Sequence, residues 1–241
     1  MPKPLAPFQF QKFSLAHDQS AHKVGTDSLA LAGWGEASNP QCILDFGSGS
    51  GLLSLIMAQR FSEASIVGLE IDKASWQQSC ENAKNCPWSE CIQFHHRDLL
   101  DWETESRYDL IISNPPYFSE SLLAPEKRRA KARSASTKTF LLWMRKLREL
   151  LSADGSLALV LPVLQWESYQ DQFREMELYP HRMAFVHHHE SAEANRVLIQ
   201  LNKQAGSLKK EKLILYASAH SHLRHPQYQK LVQDFMLPQN G

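Results

Sequence analysis

Through the middle of the chain, short apolar runs alternate with longer stretches in which apolar residues return every three or four positions. Cys42 to Phe46, Ser65 to Ile71, Cys91 to His96, Leu110 to Ser113 and Ser156 to Leu161 each read as a buried strand. Between them, Leu52 to about Arg60, Ala74 to Ala83 and Thr139 to Leu150 read as helices. Continuous apolar strands separated by helices predict βαβ units around a parallel sheet covered on both faces. Right-handed crossovers then give a doubly wound, Rossmann-like α/β domain. The last part of the chain has a different pattern. Met183 to Val186, Arg196 to Leu201 and Lys212 to Tyr216 read as strands with no long helix between them, so the sheet is expected to end in antiparallel pairing. A helix around Tyr228 to Leu237 closes the pattern. With no internal repeat or linker, residues 1–241 read as one domain, with a short N-terminal extension over 1–40 and a strand-and-helix extension over 205–241.

Composition narrows the class. Apolar residues make up 43% of the 241 positions and charged residues 22%, as expected for a globular protein with a large core. No apolar stretch approaches the roughly eighteen residues of a membrane helix. Pro2, Pro4, Pro7, Gln9 and Gln11 interrupt the N-terminal run, which does not resemble a signal peptide. A cytoplasmic protein is expected. Cys42, Cys80, Cys86 and Cys91 form no C-x-x-C pair, which argues against zinc or a redox dithiol. His187, His188 and His189 would alternate between strand faces, so three cannot easily converge on one ion, and no metal is expected. Trp143 and Trp166 fit the apolar faces of helices and read as packing residues.

The formal net charge is zero, but its distribution is uneven. Between residues 121 and 150 nine basic residues, among them Arg128, Arg129, Lys131 and Arg133, face two acidic ones, Glu126 and Glu149. Such an excess attracts phosphates, and it is equally compatible with a solvated loop and helix face.

The candidate chemistry begins directly after the first strand, at Asp45-Phe46-Gly47-Ser48-Gly49-Ser50-Gly51. Glycines at Gly47, Gly49 and Gly51 let the backbone turn sharply and approach a ligand. The D-x-G-x-G-x-G spacing differs from the G-x-G-x-x-G of dinucleotide sites. Glu70 ends the second strand, where a carboxylate can accept from both hydroxyls of a ribose. Asp98 follows the third, where it can accept from an adenine amino group. Together with Asp45 these positions predict a site for an adenosine lacking a pyrophosphate, S-adenosylmethionine.

Ser113-Asn114-Pro115-Pro116-Tyr117 follows the fourth strand. Two prolines remove backbone donors and stiffen the chain. The Asn114 side-chain oxygen and the Pro115 carbonyl can accept both hydrogens of an amino group and aim its lone pair, while Tyr117 offers a flat face to a planar substrate. Pro116, with Arg128, Arg129, Lys131 and Arg133, is expected on the substrate side.

In order and spacing these motifs resemble class I S-adenosylmethionine-dependent methyltransferases of the N-P-P-Y type. The resemblance covers roughly residues 20 to 205 and implies a seven-stranded sheet whose last hairpin carries one antiparallel strand. His17-Asp18, Lys23-Val24-Gly25-Thr26-Asp27 and Trp34, with the tail Ser221 to Leu237, look similar to the bacterial valine-tRNA adenine-N6 methyltransferases. That narrower resemblance implies methylation of adenine 37 in tRNA, with Gly25, Thr26 and Asp27 over the methionine portion of the cofactor; a monomer is expected. Protein glutamine-N5 methyltransferases share the tetrapeptide but usually carry an extra helical domain, and ribosomal guanine-N2 methyltransferases often have a duplicated one. A nucleotide-binding oxidoreductase or binding module would explain the glycine turn and Glu70 but not Asn114 to Tyr117.

Overall fold

The computed structural model describes residues 5–20, 23–116 and 126–239, with side chains described outside 126–136. After a two-stranded ribbon, β1 (Phe8–Gln9) and β2 (Ser14–Leu15), come α1 (Thr26–Trp34), β3 (Cys42–Phe46), α2 (Leu52–Arg60) and β4 (Ser65–Glu70). The chain continues with α3 (Lys73–Lys84), β5 (Ile92–His96), β6 (Tyr108–Ser113), α4 (Glu126–Leu150) and β7 (Leu151–Pro162). It ends with α5 (Val163–Glu175), β8 (Tyr179–His187), β9 (Ala194–Asn202), β10 (Lys209–Ile214) and α6 (Pro226–Val232).

The main sheet runs β10-β8-β9-β7-β6-β3-β4-β5. β3 to β7 are mutually parallel where they pair, and β9 lies antiparallel between β7 and β8. The order reverses between β3 and β6, the kind of switch point where open α/β sheets bind ligands. Side chains alternate between two cores. Ile43, Ile66 and Ile112 join α1, α2 and α6 on one face, whereas Leu44, Leu69 and Ile111 meet Phe140 and Met144 of α4 and Phe173 of α5 on the other. Both faces are thereby covered, which is why these strands read as unbroken apolar runs.

Two expectations are corrected. Among the described residues the sheet has eight strands rather than seven, because β10 adds to its edge. The expected antiparallel hairpin is present as β8 and β9, and β10 extends the sheet beyond it by pairing with β8 in parallel. Arg182 on β8 fixes this edge: it pairs with Glu211 of β10 at 3.0 Å and stacks over the Trp34 ring of α1 at 4.4 Å. Finally, α4 starts at Glu126 and not at Thr139, so the basic segment is helical in backbone. Its alanines, lysines and arginines have high helix propensity, which favours continuing the helix over a loop.

Candidate active site

The glycine turn is built by its attachment to β4. The backbone N–H groups of Gly47 and Ser48 both donate to the Leu69 carbonyl, at 2.9 and 3.0 Å. Gly47, Gly49 and Gly51 all take positive φ, at 72°, 55° and 88°, a region costly for residues with a β-carbon. They do not share one role. A β-carbon at Gly47 would meet no atom within 4 Å, so that backbone borders open space. At Gly51, which opens α2, it would press on the Phe94 ring at 2.9 Å. Gly51 thus serves helix packing, and Gly47 exposes backbone to the site.

Beside the turn lies a cavity of about 300 Å³, lined among others by Gly47, Gly49, Glu70, Asp98, Asn114 and Pro116. This is within the range of pockets that bury small-molecule ligands, roughly 300–1,000 Å³. The carboxylate of Glu70 is oriented by two backbone donors, Gly49 N at 2.8 Å to one oxygen and Asp72 N at 2.7 Å to the other. Each carboxylate oxygen has further lone pairs for a ligand hydroxyl. Asp98 accepts from Leu100 N at 2.9 Å and caps a short 3₁₀ turn, Leu99–Asp101. Phe46, Leu69 and Leu99 add apolar wall to the same cavity, suited to a flat heterocycle.

Asp45 lies elsewhere than expected. Its side chain has no exposure and is not part of the cavity wall. One oxygen accepts from Ser54 N at 3.0 Å and Ser54 Oγ at 2.7 Å, binding β3 to the first turn of α2. The other is buried with no hydrogen-bond partner among the described residues. Burial pushes the carboxyl up to about 7, the Glu70 charge adds to the rise, and the Ser54 hydrogen bonds oppose it.

The N-terminal segment closes one side of the cavity, and it is pinned to α3 by two buried amides. Asn82 exchanges hydrogen bonds with the backbone of Ala16 at 2.9 and 2.8 Å and also donates to Ser50 O at 2.8 Å. Gln78 accepts from Gln19 N and Ser20 N at 3.2 and 3.1 Å and donates to Asp18 at 2.6 Å. Lys23 reaches back to the carbonyls of His17, Asp18 and Ser20. Ser20, Lys23, Val24 and Ser28 line the cavity as a result. Gly25, Thr26 and Asp27 are not themselves on its wall. Gly25 caps α1, Thr26 begins it, and Asp27 pairs with Arg196 at 3.0 Å.

Asn114 leaves β6 at the switch point and stands on the cavity wall with Pro116, while Pro115 is buried. The Asn114 Nδ2 donates to Ser28 Oγ at 2.8 Å. Tyr117 lies outside the described residues, as do the side chains of Arg128, Arg129, Lys131 and Arg133, whose backbone is in the first half of α4. Trp143, expected only to pack, also lines the cavity and meets Phe46 edge to face at 5.2 Å. Its helical spacing signals an inward face but not the presence of a cavity there. Of the histidine run, His187 bonds the Ala192 carbonyl and His188 packs on Tyr216.

The profile of the methyltransferase small domain family matches residues 20–185, which include the glycine turn, Glu70, Asp98 and Asn114. This chain belongs to the methyltransferase small domain family. Among relatives of this methyltransferase, a Bacteroides fragilis protein named tRNA1(Val) (adenine(37)-N6)-methyltransferase is 36% identical, over 95% of this chain and 97% of its own. A Parabacteroides distasonis protein of the same name is 41% identical over 81% and 83% of the two chains. A crystal structure described as a predicted O-methyltransferase, Atu636 from Agrobacterium tumefaciens, aligns with a TM-score of 0.68 at 17% identity, covering 86% of this methyltransferase and 96% of that chain. That last likeness concerns the fold alone.

Proposed function

We propose that this protein transfers a methyl group from S-adenosylmethionine to the exocyclic N6 of an adenine in tRNA, adenine 37 of a valine tRNA. The observation that carries the reading is Asn114, bonded to Ser28 on the wall of a cavity that Glu70 and the glycine turn also line. The residues suit an adenosine. Glu70 is set by backbone donors to accept from a ribose, Asp98 stands next along the same sheet edge, and Gly47 leaves open the space a β-carbon would enter. The names of the relatives support the tRNA substrate and its position.

When bound, S-adenosylmethionine supplies an electrophilic methyl group. The residues of the chain then have mainly to position the attacking nitrogen, since an aromatic amine needs no strong base before attack. Asn114 Oδ1 and the Pro115 carbonyl accept its two hydrogens, which drains charge toward the protein and directs the lone pair away from it. Tyr117 supplies a stacking face. A base inside its stack cannot bring an amino group to the sheet edge, so the adenine is flipped out. Flipping costs a few kcal/mol and less in a loop than in a duplex. Arg128, Arg129, Lys131 and Arg133 meet tRNA phosphates. The reaction takes place in the cytoplasm, where tRNA is matured. Among the described residues no helix is long and apolar enough to cross a membrane.

Incubation with tritium-labelled S-adenosylmethionine and separated tRNA, protein and DNA fractions tests the reading. Label is expected in tRNA, and label confined to protein or DNA contradicts it.

A further inference from the structure

We infer that Gln78 of α3 is a positioning residue for the cofactor: its side-chain amide holds residues 18–20 in place as one wall of the cavity. The inference rests on the reading of that cavity as the S-adenosylmethionine site. Gln78 is 1% exposed, and its hydrogen bonds run to the N-terminal segment. Its Oε1 accepts from Gln19 N at 3.2 Å and Ser20 N at 3.1 Å, while its Nε2 donates to Asp18 Oδ1 at 2.6 Å. Backbone N–H groups can only donate, so they fix the acceptor end of the amide and leave the donor end to the carboxylate. An amide buried this deeply costs free energy unless it is paired, so Gln78 favours the state in which the segment is docked.

The docked segment is part of the site. Ser20 is buried and lines the cavity. A β-carbon at Gly49 would stand 3.5 Å from Ser20 Oγ, so the segment lies against the glycine turn. The same helix holds that turn. Asn82, four residues after Gln78 and therefore on the same face of α3, donates to Ser50 O at 2.8 Å while it exchanges hydrogen bonds with Ala16. One helix face thus keeps the turn and the segment in register. The segment itself borders water, with Gln19 exposed and His17 and Asp18 half-buried. Without Gln78 its backbone N–H groups can turn to solvent, and it can leave the cavity by a local opening while the core stays folded. Molecules opened in this way lack one wall, and cofactor affinity falls with the fraction that remains docked.

The test uses the full chain with S-adenosylhomocysteine as the probe. Gln78→Met keeps the length of the side chain and makes none of its hydrogen bonds to the segment. Affinity by calorimetry should fall about tenfold, as for a segment docked roughly one tenth of the time. With tRNA as substrate, KM for S-adenosylmethionine should rise by about the same factor while kcat stays within about twofold, as for a residue that touches no reacting atom. Hydrogen exchange over residues 16–20 should be slowed by S-adenosylhomocysteine in the wild type, and should be faster in free Gln78→Met than in the free wild type. Gln78→Glu sets a carboxylate against Asp18 and should also lose affinity. Adding Asp18→Asn returns a donor to that contact at the original total charge, and should bring affinity back to within about threefold of the wild type. If Gln78→Met does not fold, the wild-type exchange and the paired variant still decide. Unchanged affinity in Gln78→Met, exchange at 16–20 indifferent to the probe, a fall in kcat at saturating cofactor, or no recovery in the paired variant would each overturn the inference. A Glu70→Ala protein that binds the probe as the wild type does would instead contradict the reading of the cavity.

Discussion

The carboxylate of Glu70 accepts the backbone N–H of Gly49 at 2.8 Å, so the end of β4 and the glycine turn form one unit. An acid that orders the turn and also faces the cavity affects binding in two ways. Glu70→Ala should weaken S-adenosylmethionine or S-adenosylhomocysteine binding by about 1–3 kcal/mol, through lost ribose hydrogen bonds and a looser turn. Calorimetry on the folded variant checks it, and unchanged affinity would remove Glu70 from the site.

The glycines of the turn should separate in their effects. Gly51→Ala combines a φ of 88° with a β-carbon 2.9 Å from Phe94, so it should lose about 1–3 kcal/mol of stability to crowding beyond the backbone strain. Gly47→Ala has strain alone, about 1–2 kcal/mol, but puts its methyl into open space at the cavity. Thermal melts should therefore rank Gly51→Ala below Gly47→Ala, while Gly47→Ala should lose cofactor affinity out of proportion to its stability. The reverse ranking would contradict the roles assigned to the two positions.

Much of this site is legible in the sequence because it is local. The glycine turn, Glu70 and Asn114 each follow a strand whose apolar run marks its end, and parallel strands bring those ends to one edge. Asp45 is less legible. It sits between Leu44 and Phe46 in a strand buried on both faces, so alternation alone does not separate a wall residue from a core one. The parallel β10 edge is accompanied by contacts of Arg182 with Glu211 and Trp34, which are far apart in sequence. Ser28 carries no signal of its own, since a serine in the first turn of a helix is common and its partner lies on another element.

The buried Asp45 has a consequence for stability. Its folded carboxyl titrates near 7 against 3.8 in an exposed chain, so the native state holds an extra proton between those values. Stability from this group is full below about pH 4 and is lost as pH rises through about 7. Asp45→Asn keeps an acceptor for Ser54 without the charge. Urea titrations across this range should show the variant gaining on the wild type as pH rises. A difference that does not change with pH would show that Asp45 is not held neutral.

The basic half of α4 should make tRNA binding depend on salt. Reversing Arg128 and Arg129 to glutamate should lower affinity and shallow the slope of log affinity against log salt by about one unit for each phosphate left without its cation. Filter binding over a salt series measures it. An unchanged slope would place the tRNA surface elsewhere.

In the proposed reaction Asn114 holds an adenine N6 for methylation. Asn114→Ala should leave S-adenosylhomocysteine binding nearly intact and cut turnover about 100-fold or more, as for an acceptor whose contribution is greatest in the transition state. Mass spectrometry of nucleosides from tRNA digested after incubation with the pure protein reads the product itself. N6-methyladenosine is expected with the wild-type protein and almost none with Asn114→Ala. Methylated guanine, or equal N6-methyladenosine from both proteins, would contradict the role given to Asn114.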